Sequence, residues 1–489
     1  MKSLVLFLCT WGVILGAHAA SADPVFDDLF HDETLRIDYN HTGNAAEEFV
    51  SLDQLWRQGT WAGSRVHLID DLDLGGYYAR IYDAGTGDLI WSKGFSSYFG
   101  EYRTTGPAGE GVMRTYHESV LAPVPKSPVE FALESRDSQG VLREFYRVAI
   151  DPDSWEIRRD PAPAGIITVD GFIGGDPHGC VDVAIVGEGY TADEVAKFEA
   201  DLKRYAALMV GHEPYASLSH RINVRGVLLP SQESGCDEPS RGVHKRTALG
   251  CTFDSLGSER YMLTEDNRAM RDIAQAVPYD VLYIMVNHDR YGGGGIYNLF
   301  CTFTSDNQWS EYVFLHEFGH SFAGLADEYY TSNVAYTDFY PAGYEPRDRN
   351  ITALDNPAEL KWGDLATGGD LPTEWNKAEY DAMDLAYQQK RGDINDRIGQ
   401  LMRDGAPEDE VARLVAEGEK LSLEHQREVD AWFAANPARD VIGAFEGAGY
   451  MTEGLYRSQL DCIMFTKGIK PFCAACRRGI IEVIEQYGE

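Results

Sequence analysis

The chain has 489 residues, room for roughly two to four domains, and carries 78 acidic against 43 basic side chains for a formal net charge of −35. A surface this acidic repels phosphate, which argues against a nucleic-acid binder and against a ligand of anionic membranes. Aromatic residues at 12% and long apolar runs supply material for large cores, which excludes a disordered polymer.

Residues 1–20 read MKSLVLFLCTWGVILGAHAA. Lys2 opens them, an apolar run extends from Leu4 to Ala17, and Ala17-His18-Ala19 gives an A-x-A cleavage pattern. That is the pattern of a secretory signal peptide. The apolar run is shorter than the ~20 residues a spanning helix needs, and no later segment is long enough either. The mature protein is therefore expected outside the cytoplasm, extracellular or periplasmic, without membrane insertion. Cys9 leaves with the leader, and Cys180, Cys236, Cys251, Cys301, Cys462, Cys473 and Cys476 remain. Export permits disulfides, and an odd count leaves at least one thiol unpaired or joined to another chain.

Residues 24–158 have the rhythm of an all-β domain. Alternating runs at 64–69, 76–82 and 129–135 are separated by turn signals such as Asp83-Ala84-Gly85 and Ser138-Gln139-Gly140. The expectation is an N-terminal β-sandwich with an accessory role. Asp160-Pro161-Ala162-Pro163-Ala164-Gly165 marks a boundary, because proline disrupts both helix and ladder. The second domain is set at 165–489. Residues 181–186, 222–229 and 281–286 predict buried strands. Thr191-Ala192-Asp193-Glu194 is a capping box that starts a helix near Ala192, with Phe198, Leu202, Tyr205 and Met209 on one face. Residues 264–276 predict another helix, with Thr264 as its cap. Alternating strands and helices imply an α/β layer with a largely parallel sheet. Residues at about 374–435 are charged and poor in β-branched types, and are read as a helical hairpin insertion opened in its second half by Pro407.

The chemistry concentrates at His316-Glu317-Phe318-Gly319-His320. On a helix His316 and His320 lie one turn apart, so both imidazoles can reach one metal ion. Glu317 stands beside them as a general base for a metal-activated water. Leu315, Phe318, Phe322 and Leu325 recur at helical spacing and supply the buried face. Gly324 can end the helix and turn the chain back. In metzincin peptidases the third ligand stands three residues after such a glycine, which selects Asp327 here, with Glu328 or a more distant acid as alternatives. Three protein ligands leave one zinc position for water.

HEFGHSFAGLADEYY resembles the extended motif of the IgA-peptidase family of bacterial zinc metallopeptidases. VAIVGEGYTADE at 183–194, VNHDRYGGGG at 286–295, Asn350–Thr352 with Leu360-Lys361-Trp362, and LYRSQLDCIM at 455–464 resemble further family segments in the same order. The resemblance spans nearly the whole chain except the helical insertion. It implies a multidomain α/β plus β protein: an N-terminal β-sandwich, then a metzincin-like α/β zinc peptidase domain. It also implies one catalytic zinc, a protein or peptide substrate, and a methionine turn under the metal, for which Met464 is the best candidate. Tyr456 is a candidate for oxyanion or substrate contact. Tyr291, Gly292 and Gly293 are candidates for an edge strand that an extended peptide could join. Calcium binding is left open by the many acids.

Cys473-Ala474-Ala475-Cys476 is a C-x-x-C, for which a second zinc site would need two further ligands. Disulfide use is the simpler expectation, and Cys236 and Cys251 flank a loop that they could close. Two other readings stand beside the peptidase: a silent binding protein with a structural metal, and a zinc hydrolase of a non-peptide amide. An intact Glu317 argues against the first, because a structural site needs no base. Neither the natural substrate nor the oligomeric state can be read from these residues.

Overall fold

The computed structural model describes residues 24–331, 340 and 344–488. The expected signal peptide at 1–20 lies outside the described residues. Among the described residues no helix is long and apolar enough to cross a membrane.

The N-terminal part begins with a helical turn, α1 (Phe26–Leu29), and two long strands, β1 (Phe30–Gly43) and β2 (Glu48–Arg57). β3 (Tyr77–Asp83) and β4 (Leu89–Phe95) follow, then the short helices α2 (Tyr98–Arg103) and α3 (Gly106–Gly109). β5 (Arg114–Pro125), β6 (Val129–Arg136) and β7 (Leu142–Ile150) complete it. The strands form two antiparallel sheets, ordered β2-β1-β5 and β4-β3-β6-β7. Both sheets send side chains into one apolar cluster. Ile37, Tyr39, Val120 and Ala122 come from the first sheet; Ala79, Ile81, Phe131 and Leu133 come from the second. β2 alternates half-buried and exposed residues, whereas β1 is buried on both faces over residues 35–39.

The expected strands at 76–82 and 129–135 correspond to β3 and β6. The run at 64–69 is not a strand. The Ser64 hydroxyl accepts from the backbone N–H of Val66 and His67 at 3.2 and 3.0 Å, so a local turn replaces the ladder.

The second part is built on a mixed sheet. β8 (Ile167–Ile173) precedes β9 (Val181–Glu188), α4 (Val195–Gly211), β10 (Ile222–Leu228), α5 (Asn267–Ala274) and β11 (Val281–Val286). β12 (Gly293–Ile296), β13 (Phe300–Thr304) and α6 (Ser310–Ala323) come next. The strand order is β12-β13-β11-β9-β10-β8. The four inner strands are parallel, while β8 and β12 run antiparallel at the two edges. The expectation of a largely parallel sheet therefore holds for the interior only.

β9 shows why a continuous apolar run forms here. Val183 and Ile185 face α4 and α6, packing with Phe198, Leu202, Phe314 and Phe318. Ala184 and Val186 face the other way, packing with Met270 and Ile273 of α5 and with Tyr98 and Phe99 of α2. A strand covered on both faces has no solvated side to reward polar residues. The N-terminal part thus contributes to the second layer over this sheet.

The capping box forms, with the Thr191 N–H donating to Glu194 Oε2 at 2.9 Å. It caps a short 3₁₀ turn at Ala192–Glu194 that runs into α4. α5 is shorter than expected. Its N-cap is Asp266, whose side chain accepts from the Ala269 N–H, while the Thr264 hydroxyl donates to the Leu249 carbonyl at 2.5 Å. Thr264 is thus recruited by a neighbouring loop.

β14 (Ile351–Thr352), α7 (Lys377–Arg403), α8 (Glu408–Ala435), β15 (Phe445–Ala448), β16 (Met451–Arg457) and α9 (Ala474–Tyr487) complete the chain. β14, β15 and β16 make a small antiparallel sheet. α7 and α8 pack on each other as the expected hairpin, which Pro407 opens as N-cap. Its base is aromatic: Trp375 and Trp432 pack on Tyr380, and Tyr380 and Phe433 meet Phe465. The buried Arg457 guanidinium lies 3.8 Å from the Phe465 ring centroid and 4.5 Å from that of Trp375.

Candidate metal centre

α6 carries His316, Glu317 and His320. Leu315, Phe318 and Phe322 bury its inner face in the main core. The helix ends at Gly324, which adopts φ 55°, ψ 35°. That left-handed residue strains any side chain with a Cβ. The Gly324 N–H donates to the His320 carbonyl and the Leu325 N–H to the Gly319 carbonyl. This closure reverses the chain and returns Asp327 to the two histidines.

His316 Nε2, His320 Nε2 and Asp327 Oδ1 are each 3.1 Å from the other two. A tetrahedral zinc with bonds of about 2.0–2.1 Å needs donors about 3.3–3.4 Å apart, so the triangle fits that ion closely. Each histidine presents Nε2 because Nδ1 is occupied. His316 Nδ1 is 3.1 Å from the Ile463 carbonyl and His320 Nδ1 is 2.6 Å from the Leu325 carbonyl. These partners select the tautomer a metal requires. The second oxygen of Asp327 is also held, since the Tyr450 hydroxyl donates to Oδ2.

The electrostatics are those of a cation site. Burial works against the ionised Asp327, yet His320 and His316 beside it hold its carboxyl well below the usual carboxylate range. Burial also opposes a charged His320, but Asp327 pushes its pKa up to about 10. A metal bound here would compete with protons for these ligands. Burial lifts the Glu317 carboxyl above its ordinary value, opposed by His316 and His320.

The loop after the helix is clamped from several sides. The Asn350 side chain accepts from the Ala326 N–H at 2.9 Å and donates to the Ala326 carbonyl at 2.8 Å. Backbone bonds join Gly449 N–H to Asp327 O, Tyr450 N–H to Tyr329 O, and Glu328 N–H to Met464 O. Met464 is fully buried under α6, and its sulfur would lie 3.0 Å from a Cβ placed on Gly319. It therefore packs against the helix turn between the two histidines.

Glu328 is not part of the triangle. It is fully buried in the loop after α6, 3.1 Å from the Asn350 amide. Tyr456 lies on β16, across from Thr352 and Glu446. Tyr312 and Tyr329 contact His316, and Tyr450 reaches Asp327 itself, which adjacent spacing could not have revealed because it stands 123 residues from Asp327. Tyr291 is close to the site, with the Lys467 ammonium 4.4 Å from its ring centroid.

β12 is at the sheet edge and lies directly on α6. A Cβ on Gly293 would meet Val313 Cγ1 at 2.7 Å, and one on Gly295 would meet the Glu317 carbonyl at 2.7 Å and His320 Cβ at 3.0 Å. The glycines thus serve contact between strand and helix. The expectation of an open edge is corrected at Gly293, whose N–H and carbonyl already pair with Arg260 O and Met262 N–H. The segment around Tyr261 occupies that position, as a parallel bridge. Gly295→Ala must displace α6 at the metal triangle. It is expected to weaken zinc affinity by at least tenfold while leaving the rest of the chain folded, as read by zinc titration against a chelator and by circular dichroism.

All seven cysteines of the described chain are free and buried. The expected disulfide use, including a Cys236–Cys251 pair, is therefore not the arrangement found. Among the described residues, two clusters besides the His316–His320–Asp327 triangle gather potential metal ligands: Glu328 with Cys462, Cys473 and Cys476, and Asp38 with Asp53 and His117.

A His-Glu-x-x-His helix with a returning carboxylate, set on a mixed α/β sheet, defines a candidate metallohydrolase centre. The family model for IgA peptidase M64 matches residues 173–484, and that for the M64 peptidase N-terminus matches residues 25–147. The chain belongs to the IgA peptidase M64 family, a family of metallopeptidases, so its expected substrates are proteins or peptides. No curated protein matches the chain.

Proposed function

We propose that the chain is a secreted zinc-dependent endopeptidase whose metal is held by His316, His320 and Asp327 and whose general base is Glu317. The observation that carries this reading is the 3.1 Å triangle of donor atoms with Glu317 on the same helix. A bound zinc would supply Lewis-acid chemistry, polarising the scissile carbonyl and acidifying water.

The chain's own residues do the rest. Glu317 Oε accepts the proton of the attacking water and returns it to the leaving amine. Burial raises the Glu317 pKa toward the operating range of such a base. The Ile463 and Leu325 carbonyls hold the two imidazoles, and Tyr450 holds Asp327. Met464 supports α6 from beneath without reaching the donor atoms through a polar group. Tyr291, Lys467 and the segment around Tyr261 flank the site on the β12 side and are suited to contact substrate.

We read the paired N-terminal sheets as a β-sandwich and the second part as metzincin-like, with the 374–435 hairpin as an insertion. Export rests on residues 1–20.

The test assays the purified mature chain against casein and immunoglobulin A, before and after removal of metal. Cleavage lost on treatment with a chelator and restored by stoichiometric zinc supports the reading. Cleavage that persists in metal-free protein would overturn it.

A further inference from the structure

We propose that Cys462, Cys473, Cys476 and Glu328 form a second, structural zinc site behind the candidate catalytic one. The proposal does not depend on the peptidase reading. One ligand atom from each of the four residues lies within 4.8 Å of the others. Cys462 Sγ and Cys476 Sγ are 3.8 Å apart. That matches the separation of about 3.8 Å between two thiolates on a tetrahedral zinc with Zn–S bonds of about 2.3 Å. Glu328 Oε1 is 3.3 Å from Cys473 Sγ and 3.2 Å from Cys476 Sγ, near the ~3.5 Å expected for mixed oxygen and sulfur ligands.

The surroundings are also those of a thiolate site. The Cys462 sulfur accepts backbone N–H bonds from Cys473 and Met464 at 3.2 and 3.4 Å, and the Cys473 sulfur accepts from Cys476 N–H at 3.4 Å. Cys473 is the N-cap of α9, where the helix end favours negative charge. None of the four side chains is more than 3% exposed. Glu328 Oε2 is buried without a hydrogen-bond partner, an arrangement that is costly for a carboxylate unless a cation compensates it. The C-x-x-C therefore finds the two further ligands it needs, one eleven residues before Cys473 and one from the loop after α6.

The position gives the ion a role. Glu328 follows Asp327 directly, and its N–H donates to the Met464 carbonyl at 2.9 Å. Cys462 stands two residues before Met464. One ion would thus tie the Asp327 loop, the Met464 turn and the start of α9 together. In a chain of this size it replaces a disulfide as the covalent-strength fastening of the C-terminal segment.

The alternative is oxidation of two of these thiols to a disulfide, and the experiment separates the two. Metal content is measured on the purified chain and on His320→Ala, each also after replacement of zinc by cobalt(II). Thiols are counted after denaturation without reductant. The expected result is two zinc ions per parent chain, seven reactive thiols, and a thiolate-to-cobalt charge-transfer band in the near ultraviolet. His320→Ala should lose one zinc and keep the band, because the triangle contains no sulfur. Cys462→Ser should lose the band and keep the other ion. If that variant does not fold, the parent's metal count, thiol count and spectrum decide alone. Five thiols, or no sulfur-to-cobalt band, would overturn the proposal. Failure of the catalytic reading would show differently, as a single zinc with the band intact.

Discussion

Glu317→Gln is expected to keep the parent zinc content and to lower peptidase turnover by about 10²–10⁴-fold, the range a positioned general base contributes. The substitution preserves shape and hydrogen-bonding capacity but removes the carboxylate that α6 places beside the ligand triangle to take a proton. The ligands themselves do not rely on it: His316 and His320 are oriented by backbone carbonyls, and Asp327 by Tyr450. Metal analysis and turnover on one protein substrate therefore separate base from ligand. Full activity in the variant would place the base elsewhere. Loss of zinc along with activity would make Glu317 part of the metal site's architecture.

Arg36→Met is expected to destabilise the chain by about 3–5 kcal/mol, the cost of stranding a buried partner charge. Arg36 and Asp38 are 0% and 1% exposed, and their groups meet twice at 2.7 Å. Asp38 also accepts from the Trp56 indole at 2.9 Å and the Ser119 hydroxyl at 2.5 Å. The remaining arm of Arg36 donates to Asp272 of α5 at 2.5 Å, joining β1 to the second part of the chain. Removing Arg36 leaves one carboxylate buried without its cation and cuts this tie. Denaturant unfolding should show the loss. Arg36→Met combined with Asp38→Leu should recover most of it, because the cost lies in the orphaned charge. A single variant as stable as the parent would show that the buried pair adds no net stability.

Local signals carried far into the second part. The capping box at Thr191–Glu194, the apolar runs of β9 and β11 and the histidine pair on α6 depend on neighbours a few residues away. Each therefore forms much as its spacing implies. Thr264 shows the limit, since its hydroxyl serves the Leu249 carbonyl and leaves the N-cap to Asp266. The run at 64–69 has strand-like alternation but no ladder partner, because pairing is a property of two segments. The glycines at 292–295 had two physical readings, and only contact with α6 distinguishes them.

Residues alone were enough to nominate His316, Glu317, His320 and Asp327, since one helix turn and one glycine reversal bring those groups near each other. They ranked Asp327 first as third ligand but left the neighbouring Glu328 open as an alternative. They did not reveal Tyr450 at Asp327 or Arg36 between two parts of the chain. Nor did they reveal that Glu328 and Cys462 complete the ligand set of the C-x-x-C. Those contacts join residues more than a hundred positions apart, apart from Arg36 with Asp38 and Cys462 with the C-x-x-C. Sequence spacing reports on geometry only within a turn of helix or along a strand. Beyond that range, the packing of β sheets, α6 and α9 decides which side chains meet.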